Sequence, residues 1–135
     1  MTLRQGSLQL APAEAAKKCI LVVEDELLVR LLLSDALRDE GYRVVEACNA
    51  DEALAILDAT PPDLIITDVR MPGSIDGLGL LALVREILPS LPVIITSGHL
   101  QAAQALAQGA ALFVAKPFTV EVVLEAVHVE LAKRQ

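Results

Sequence analysis

The chain has 135 residues, 54% of them hydrophobic but only three aromatic, and a formal net charge of −7. Its length suits one domain that buries roughly two-thirds of its surface, and an aliphatic core of Leu, Val, Ile and Ala suits a parallel α/β sheet better than a β-sandwich. The charge argues against direct nucleic-acid binding and an anionic membrane surface, no run reaches transmembrane length, and Cys19 and Cys48 without CxxC spacing argue for a reducing compartment over a zinc site or disulfide framework.

Residues 1–18 show no clear periodicity, and no continuous apolar core with a cleavage site that would make a secretory signal. They read as a poorly ordered extension or a weak helix, with the domain over 19–135 of a cytoplasmic protein. Residues 19–23 form an apolar run that ends at Glu24, Asp25 and Glu26, a strand whose carboxylates arrive where it stops. Over 27–40 the pattern turns helical, with Val29, Leu32, Leu33, Ala36 and Leu37 on one stripe and Gly41 as the stop signal. Leu27 and Leu31 fall off that stripe, which leaves apolar surface outside.

Residues 42–47 predict the second strand, and Asn49 with Glu52 three positions later announces a short helix through 57. Residues 64–67, bracketed by Pro61-Pro62 and Pro72-Gly73, read as a strand buried on both faces, with Asp68 presented at its end. A helix over 79–88 follows, then a strand over 92–96 and a Ser97-Gly98-His99 loop. A short Ala/Gln helix is expected at about 100–108, a fifth strand over 111–115, and Lys116-Pro117-Phe118. Thr119 caps a last helix with Val120, Val123, Leu124, Val127 and Leu131 inward.

Strands alternating with helices five times imply a five-stranded parallel sheet with helices on both faces. Ligands of such sheets bind at the carboxyl ends of the strands, near the switch in strand order. Cys19 and Cys48 then lie at opposite ends of neighbouring strands, too far apart to be bridged. The strand ends carry Glu24 and Asp25, Asp68, Ser97 and Lys116. Taken singly, Asp68 reads as an ion-pair partner, Lys116 as a surface charge and Ser97 as a turn residue. Together they form a constellation. At about 4 Å and an effective dielectric near 20, each like-charged carboxylate pair costs roughly 4 kcal/mol, so either a pKa rises or a dication binds. Oxygen ligands with room for water suit Mg²⁺. Lys116 adds a fixed positive charge, Ser97 a hydroxyl, and an Asp carboxylate can attack a phosphoryl group to give an acyl phosphate.

Four segments carry a family resemblance: Val22-Val23-Glu24-Asp25-Glu26, Asp68-Val69-Arg70-Met71-Pro72-Gly73, Pro92-Val93-Ile94-Ile95-Thr96-Ser97-Gly98 and Lys116-Pro117-Phe118. In that order they resemble the receiver domain of two-component response regulators. The resemblance implies a flavodoxin-like, doubly wound α/β fold with strand order 2-1-3-4-5 and five helices. It makes Asp68 the phosphoacceptor, and makes Asp25 a direct and Glu24 a water-mediated ligand of Mg²⁺, with the backbone carbonyl of Arg70 completing the set. Ser97 becomes the switch hydroxyl, Gly98 the small residue beside the phosphate path, and Lys116 the partner of the phosphoryl group. Phe113 becomes the aromatic residue that turns inward on activation, and the bond before Pro117 is expected to be cis. Arg70 and His99 match variable positions that influence the lifetime of the acyl phosphate.

Two departures stand out. The loop after Asp68 reaches Asp76-Gly77 one residue late, and the stretch from Ser97 to Lys116 is about three residues short, which removes nearly a turn of the fourth helix. The implied function is a phosphoacceptor switch rather than a general enzyme. Its donor is a sensor histidine kinase or a histidine phosphotransfer protein, its output a downstream protein or a phosphorelay step, and homodimerisation is left open. A stand-alone receiver is the leading expectation, with a receiver cut from a longer transcription factor beside it. A haloacid-dehalogenase-like phosphatase needs a second acid two residues after the nucleophile, where this chain has Arg70. A flavin-binding flavodoxin-like domain needs a Ser/Thr/Gly-rich phosphate loop after the first strand, where Glu24-Asp25-Glu26 would repel phosphate.

Overall fold

A computed structural model describes residues 12–134. It contains α1 (Pro12–Ala16), β1 (Cys19–Val23), α2 (Leu27–Asp39), β2 (Arg43–Ala47), α3 (Ala50–Ala59) and β3 (Leu64–Asp68). The order continues with α4 (Gly77–Ile87), β4 (Val93–Ser97), α5 (Ala102–Ala107), β5 (Leu112–Ala115) and α6 (Val120–Ala132). Of the extension expected over 1–18, residues 1–11 lie outside the described residues, and α1 is a five-residue helix that precedes the five expected ones. No helix among the described residues is long and apolar enough to cross a membrane.

All five strands pair in parallel in the order β2-β1-β3-β4-β5. The three inner strands are buried at every position, which is why they read as unbroken apolar runs rather than alternating ones. Alternate residues serve opposite faces. Ile20, Val22, Ile66 and Ile94 pack with Leu33 and Leu37 of α2 and Val123 and Val127 of α6. Leu21, Val23, Ile65 and Ile95 pack with Ala53 of α3, Leu80, Leu81 and Val84 of α4, and Ala105 of α5. The order reverses between β1 and β3, so a crevice opens beyond their carboxyl ends.

Local signals place the helix ends. Gly41 adopts φ +94°, its N–H bonds to Arg38 O at 3.0 Å and the Tyr42 N–H to Leu37 O at 3.2 Å. This is the left-handed stop that glycine makes without strain, and it turns the chain into β2. Asn49 Oδ1 accepts the Glu52 N–H at 2.8 Å, whereas the Glu52 carboxylate reaches one residue beyond the cap to the Cys48 N–H. Thr119 Oγ1 accepts the Val122 N–H at 3.3 Å at the start of α6. The Lys116–Pro117 bond is cis, and both cysteines are free thiols.

One inward assignment is corrected. Leu32 is 55% exposed, although it shares the stripe of Val29 and Leu33. The first turns of α2 overhang the mouth of the crevice, where Leu32 lines open space beside Pro117 and Phe118, while Val29 borders the same space and packs partly against the core. Leu27 and Leu31 are exposed as expected, and Leu28 is the most exposed of the four at 81%.

Candidate functional site

The crevice is an open cleft of about 650 Å³ lined by Asp25, Asp68, Arg70, Ser97, His99 and Lys116, among others. Three strand ends build its floor. β1 stops one residue before Glu24, whose N–H still bonds to Ala47 O of β2 at 3.0 Å. β3 runs on to Asp68, which pairs in register with Thr96 of β4. The Lys116 N–H donates to Ser97 O at 2.9 Å, so the lysine leaves β5 level with the end of β4.

Lys116 Nζ stands 3.0 Å from Glu24 Oε1 and 3.1 Å from Asp68 Oδ2. Both carboxylates are buried, at 2% and 8% exposure. Asp68 Oδ1 accepts the Val69 N–H at 2.8 Å, and Glu24 Oε2 accepts the Glu26 N–H at 3.1 Å. Burial pushes the Glu24 carboxyl up, with Asp68 adding to the rise, while the hydrogen bond from Lys116 opposes it. Burial would lower Lys116, but its bonds to Glu24 and Asp68 outweigh that and hold the ammonium above its ordinary range.

Glu24, Asp25 and Asp68 each offer a carboxylate oxygen, all within 4.8 Å of one another. Three carboxylates against one ammonium leave two negative charges in a water-accessible cleft. Hard oxygen donors with that imbalance can hold a divalent cation, so the residues present fit a metal. Asp25 is exposed, and no hydrogen bond holds its carboxylate among the described residues.

Ser97 is buried, and its Oγ accepts the N–H groups of His99 at 3.1 Å and Leu100 at 3.0 Å. Its oxygen therefore shapes the loop that leads into α5. Arg70 and His99 are exposed at the rim of the cleft, and Gly98 lines it with room for a Cβ 3.7 Å from that of Lys116. Phe113 is not brought to the cleft. It lies half-buried on β5, paired in register with Ile95 and packed on the face of α3, α4 and α5.

Comparison with known proteins settles the class. A family model, the response regulator receiver domain, matches residues 20–128. The chain belongs to the response regulator receiver family. The receiver is 41% identical over 106 residues to the nitrogen assimilation regulatory protein NtrX of Azorhizobium caulinodans, covering 76% of this chain and 23% of that protein. It is 39% identical over 103 residues to the DNA-binding transcriptional regulator NtrC of Salmonella typhimurium, covering 74% of this chain and 22% of that one. The chain thus spans less than a quarter of the length of these curated relatives. Among solved structures, the receiver domain of NtrX from Brucella abortus superposes with a TM-score of 0.79 at 38% identity, covering 84% of this chain and 98% of that domain.

Two features of the site were not assigned from composition or spacing. Gly77, at the start of α4, donates its N–H to Val69 O at 2.8 Å. A Cβ there would overlap the Asp68 carbonyl oxygen and come within 2.8 Å of its carbonyl carbon. Only the Asp76-Gly77 pair after a strand-end Asp hinted at it. Arg30, on α2, donates from Nη1 to the Glu24 carbonyl at 2.8 Å. It reads in the sequence as one more charge on a helix face.

Proposed function

We propose that Asp68 is the phosphoacceptor of this receiver. Its carboxylate oxygen attacks the phosphorus of a phosphohistidine donor, forming the O–P bond of an acyl phosphate as the P–N bond breaks. The electron pair leaves with the donor imidazole, which then takes up a proton. Glu24, Asp25, Asp68 and the Arg70 backbone carbonyl are the groups that would hold Mg²⁺, Asp25 directly and Glu24 through water. When bound, the ion supplies charge neutralisation for the transferring phosphoryl oxygens. Lys116 would leave its Asp68 bridge to pair with the phosphoryl group, and Ser97 and Phe113 would report its arrival to the surface around α5.

The single observation that carries this reading is the bridge from Lys116 to Asp68 and Glu24, with Asp25 beside them, at the strand-order reversal. The protein turns over no other substrate on this reading. It catalyses only its own phosphorylation and dephosphorylation. A sensor histidine kinase or a histidine phosphotransfer protein is the donor, and the exposed Leu27, Leu28, Leu31 and Leu32 beside the cleft suit docking of an apolar helix. The output is a change in contacts with a downstream protein, or between two copies of the chain. A second reading rests on length: because the chain spans under a quarter of NtrX and NtrC, the same switch would act on an attached output domain.

Asp68→Asn keeps the shape of the acceptor and removes its nucleophile. With Mg²⁺ and a small phosphodonor such as acetyl phosphate, the wild-type chain should be labelled and this variant should not. Labelling of Asp68→Asn at the wild-type rate would overturn the assignment.

A further inference from the structure

Asp25 reaches the cleft with no hydrogen bond to hold its carboxylate among the described residues, so its place depends on the backbone that carries it. That backbone has left the sheet, since the β1 ladder ends at Val23. The Glu26 N–H donates across it to Glu24 Oε2 at 3.1 Å, and two further contacts hold the Glu24 backbone itself. The Glu24 N–H bonds to Ala47 O at 3.0 Å, and the Glu24 carbonyl, part of the peptide that joins Glu24 to Asp25, accepts Arg30 Nη1 at 2.8 Å. The guanidinium is itself anchored. Arg30 Nε donates to Glu46 Oε1 at 3.1 Å, and Arg38 Nη2 donates to Glu46 Oε2 at 3.3 Å. Glu46 lies on β2 opposite Val22, one register step before the strand ends. Both Arg30 and Glu46 are largely shielded, with side chains 16% and 25% exposed.

We infer that Arg30 is a positioning residue for the acid pair: its guanidinium locks the Glu24–Asp25 peptide to Glu46 of β2 and so aims Asp25 at the cation site. The inference rests on reading Glu24, Asp25 and Asp68 as metal ligands. The fork of the guanidinium is essential, because one nitrogen serves the carbonyl and another the carboxylate, and a lysine could not span both. Groups that orient metal ligands are worth roughly 10- to 100-fold in affinity. One backbone contact places Arg30 near the lower end of that range.

The sign of the effect separates positioning from charge. A cation removed from the surroundings of an acidic site should tighten cation binding by Coulomb's law. A cation that positions a ligand should weaken binding when it is lost. The test is a Mg²⁺ titration of the full chain followed by NMR through the amide shifts of Asp25 and Asp68, with thermal melts in the absence of metal on the same samples. Arg30→Gln should raise the Mg²⁺ dissociation constant about tenfold, and Arg30→Lys should recover part of the loss. Tighter binding in Arg30→Gln, or lower thermal stability with an unchanged dissociation constant, would overturn the inference. If Arg30→Gln does not fold, Arg30→Lys decides: it should bind more weakly than wild type, and wild-type affinity would overturn the inference. A wild-type chain that binds no Mg²⁺ would overturn the metal reading itself, which is a separate failure.

Discussion

Replacing Lys116 with Met keeps most of the side-chain volume and removes the only cation that pairs with a carboxylate of the acid cluster among the described residues. The ammonium bridges Glu24 and Asp68 at 3.0 and 3.1 Å, and both carboxylates are buried. Without it the two acids face each other with oxygens within 4.8 Å. At an effective dielectric near 20, that is a repulsion of roughly 3.5 kcal/mol. Removing one partner from a buried ion pair costs about 3–5 kcal/mol, but the Lys116 side chain is 24% exposed and the cleft admits water. We therefore expect Lys116→Met to lose about 2–3 kcal/mol at neutral pH without metal. With a urea m-value of about 1–3 kcal/mol/M, the unfolding midpoint should fall by about 0.7–3 M.

Acid should relieve this loss, and the sign follows from Glu24. Its folded pKa already lies above the ordinary carboxyl value of 4.5 because of burial, and losing Lys116 removes a contact that opposed the rise. A carboxyl raised in the folded state binds more protons folded than unfolded below that raised pKa, so stability grows as pH falls through it toward 4.5. On the proposed metal reading, Mg²⁺ should narrow the gap as well, by adding positive charge beside the same carboxylates. Urea melts by circular dichroism at pH 7.5 and 5, with and without Mg²⁺, provide the measurement. A variant as stable as wild type at pH 7.5, or a deficit that acid leaves unchanged, would refute the electrostatic account of the cluster.

Gly77→Ala should cost about 1–3 kcal/mol by overpacking against the Asp68 carbonyl, and should slow acetyl phosphate labelling; unaltered labelling would mean the carbonyl moves freely. Ser34 is fully buried on α2 with no hydrogen-bond partner for its hydroxyl among the described residues, so Ser34→Ala should stabilise the fold by about 1 kcal/mol, read as a rise in melting temperature. Leu31→Glu should slow phosphotransfer from a cognate kinase while sparing labelling by acetyl phosphate; equal slowing of both would remove the docking role. At the cleft rim, Arg70→Ala should shorten the life of the phosphorylated form and His99→Ala lengthen it, each by up to about tenfold, or about 1.4 kcal/mol in the barrier. Decay of labelled protein measures both, and unchanged lifetimes would mean that neither side chain reaches the phosphoryl group.

The strands and the site were legible for one reason. β1, β3 and β4 are covered on both faces, so they need unbroken apolar runs, and a polar residue within reach of such a run can stand only at its end. Glu24, Asp68 and Ser97 announce themselves that way, while Lys116 follows the partly buried edge strand β5. What lay hidden depends on neighbours that a single element does not reveal. Leu32 keeps helical register with Val29 yet faces the cleft, because α2 overhangs the sheet. Glu130 reads as a solvated charge on α6 but is buried, held by Arg134 at 2.8 Å and Lys133 at 3.4 Å. The Arg30–Glu46 pair exists only because β2 sets Glu46 opposite Val22, a register that no local pattern encodes.

On the proposed reading, the switch turns on the oxygen of Ser97. It accepts two backbone N–H groups of the loop into α5, while its own hydroxyl hydrogen remains available to the cleft. Each neutral bond contributes roughly 0.5–1.5 kcal/mol net, and a bond to a charged phosphoryl oxygen about 1.5–3 kcal/mol. Where turning Oγ toward a phosphoryl oxygen gives up both N–H bonds, two of the former against one of the latter is close to balance, so the loop can change shape when the cleft is charged without a large free-energy gap in either direction. α5 adds little resistance. At six residues it is far below the length at which a helix holds itself, and Ala105 is the only residue it buries fully. The shortness expected from the spacing between Ser97 and Lys116 therefore has a physical consequence. It places the least self-supporting helix of the α3–α4–α5 face beside Ser97, the switch hydroxyl of the proposed reading.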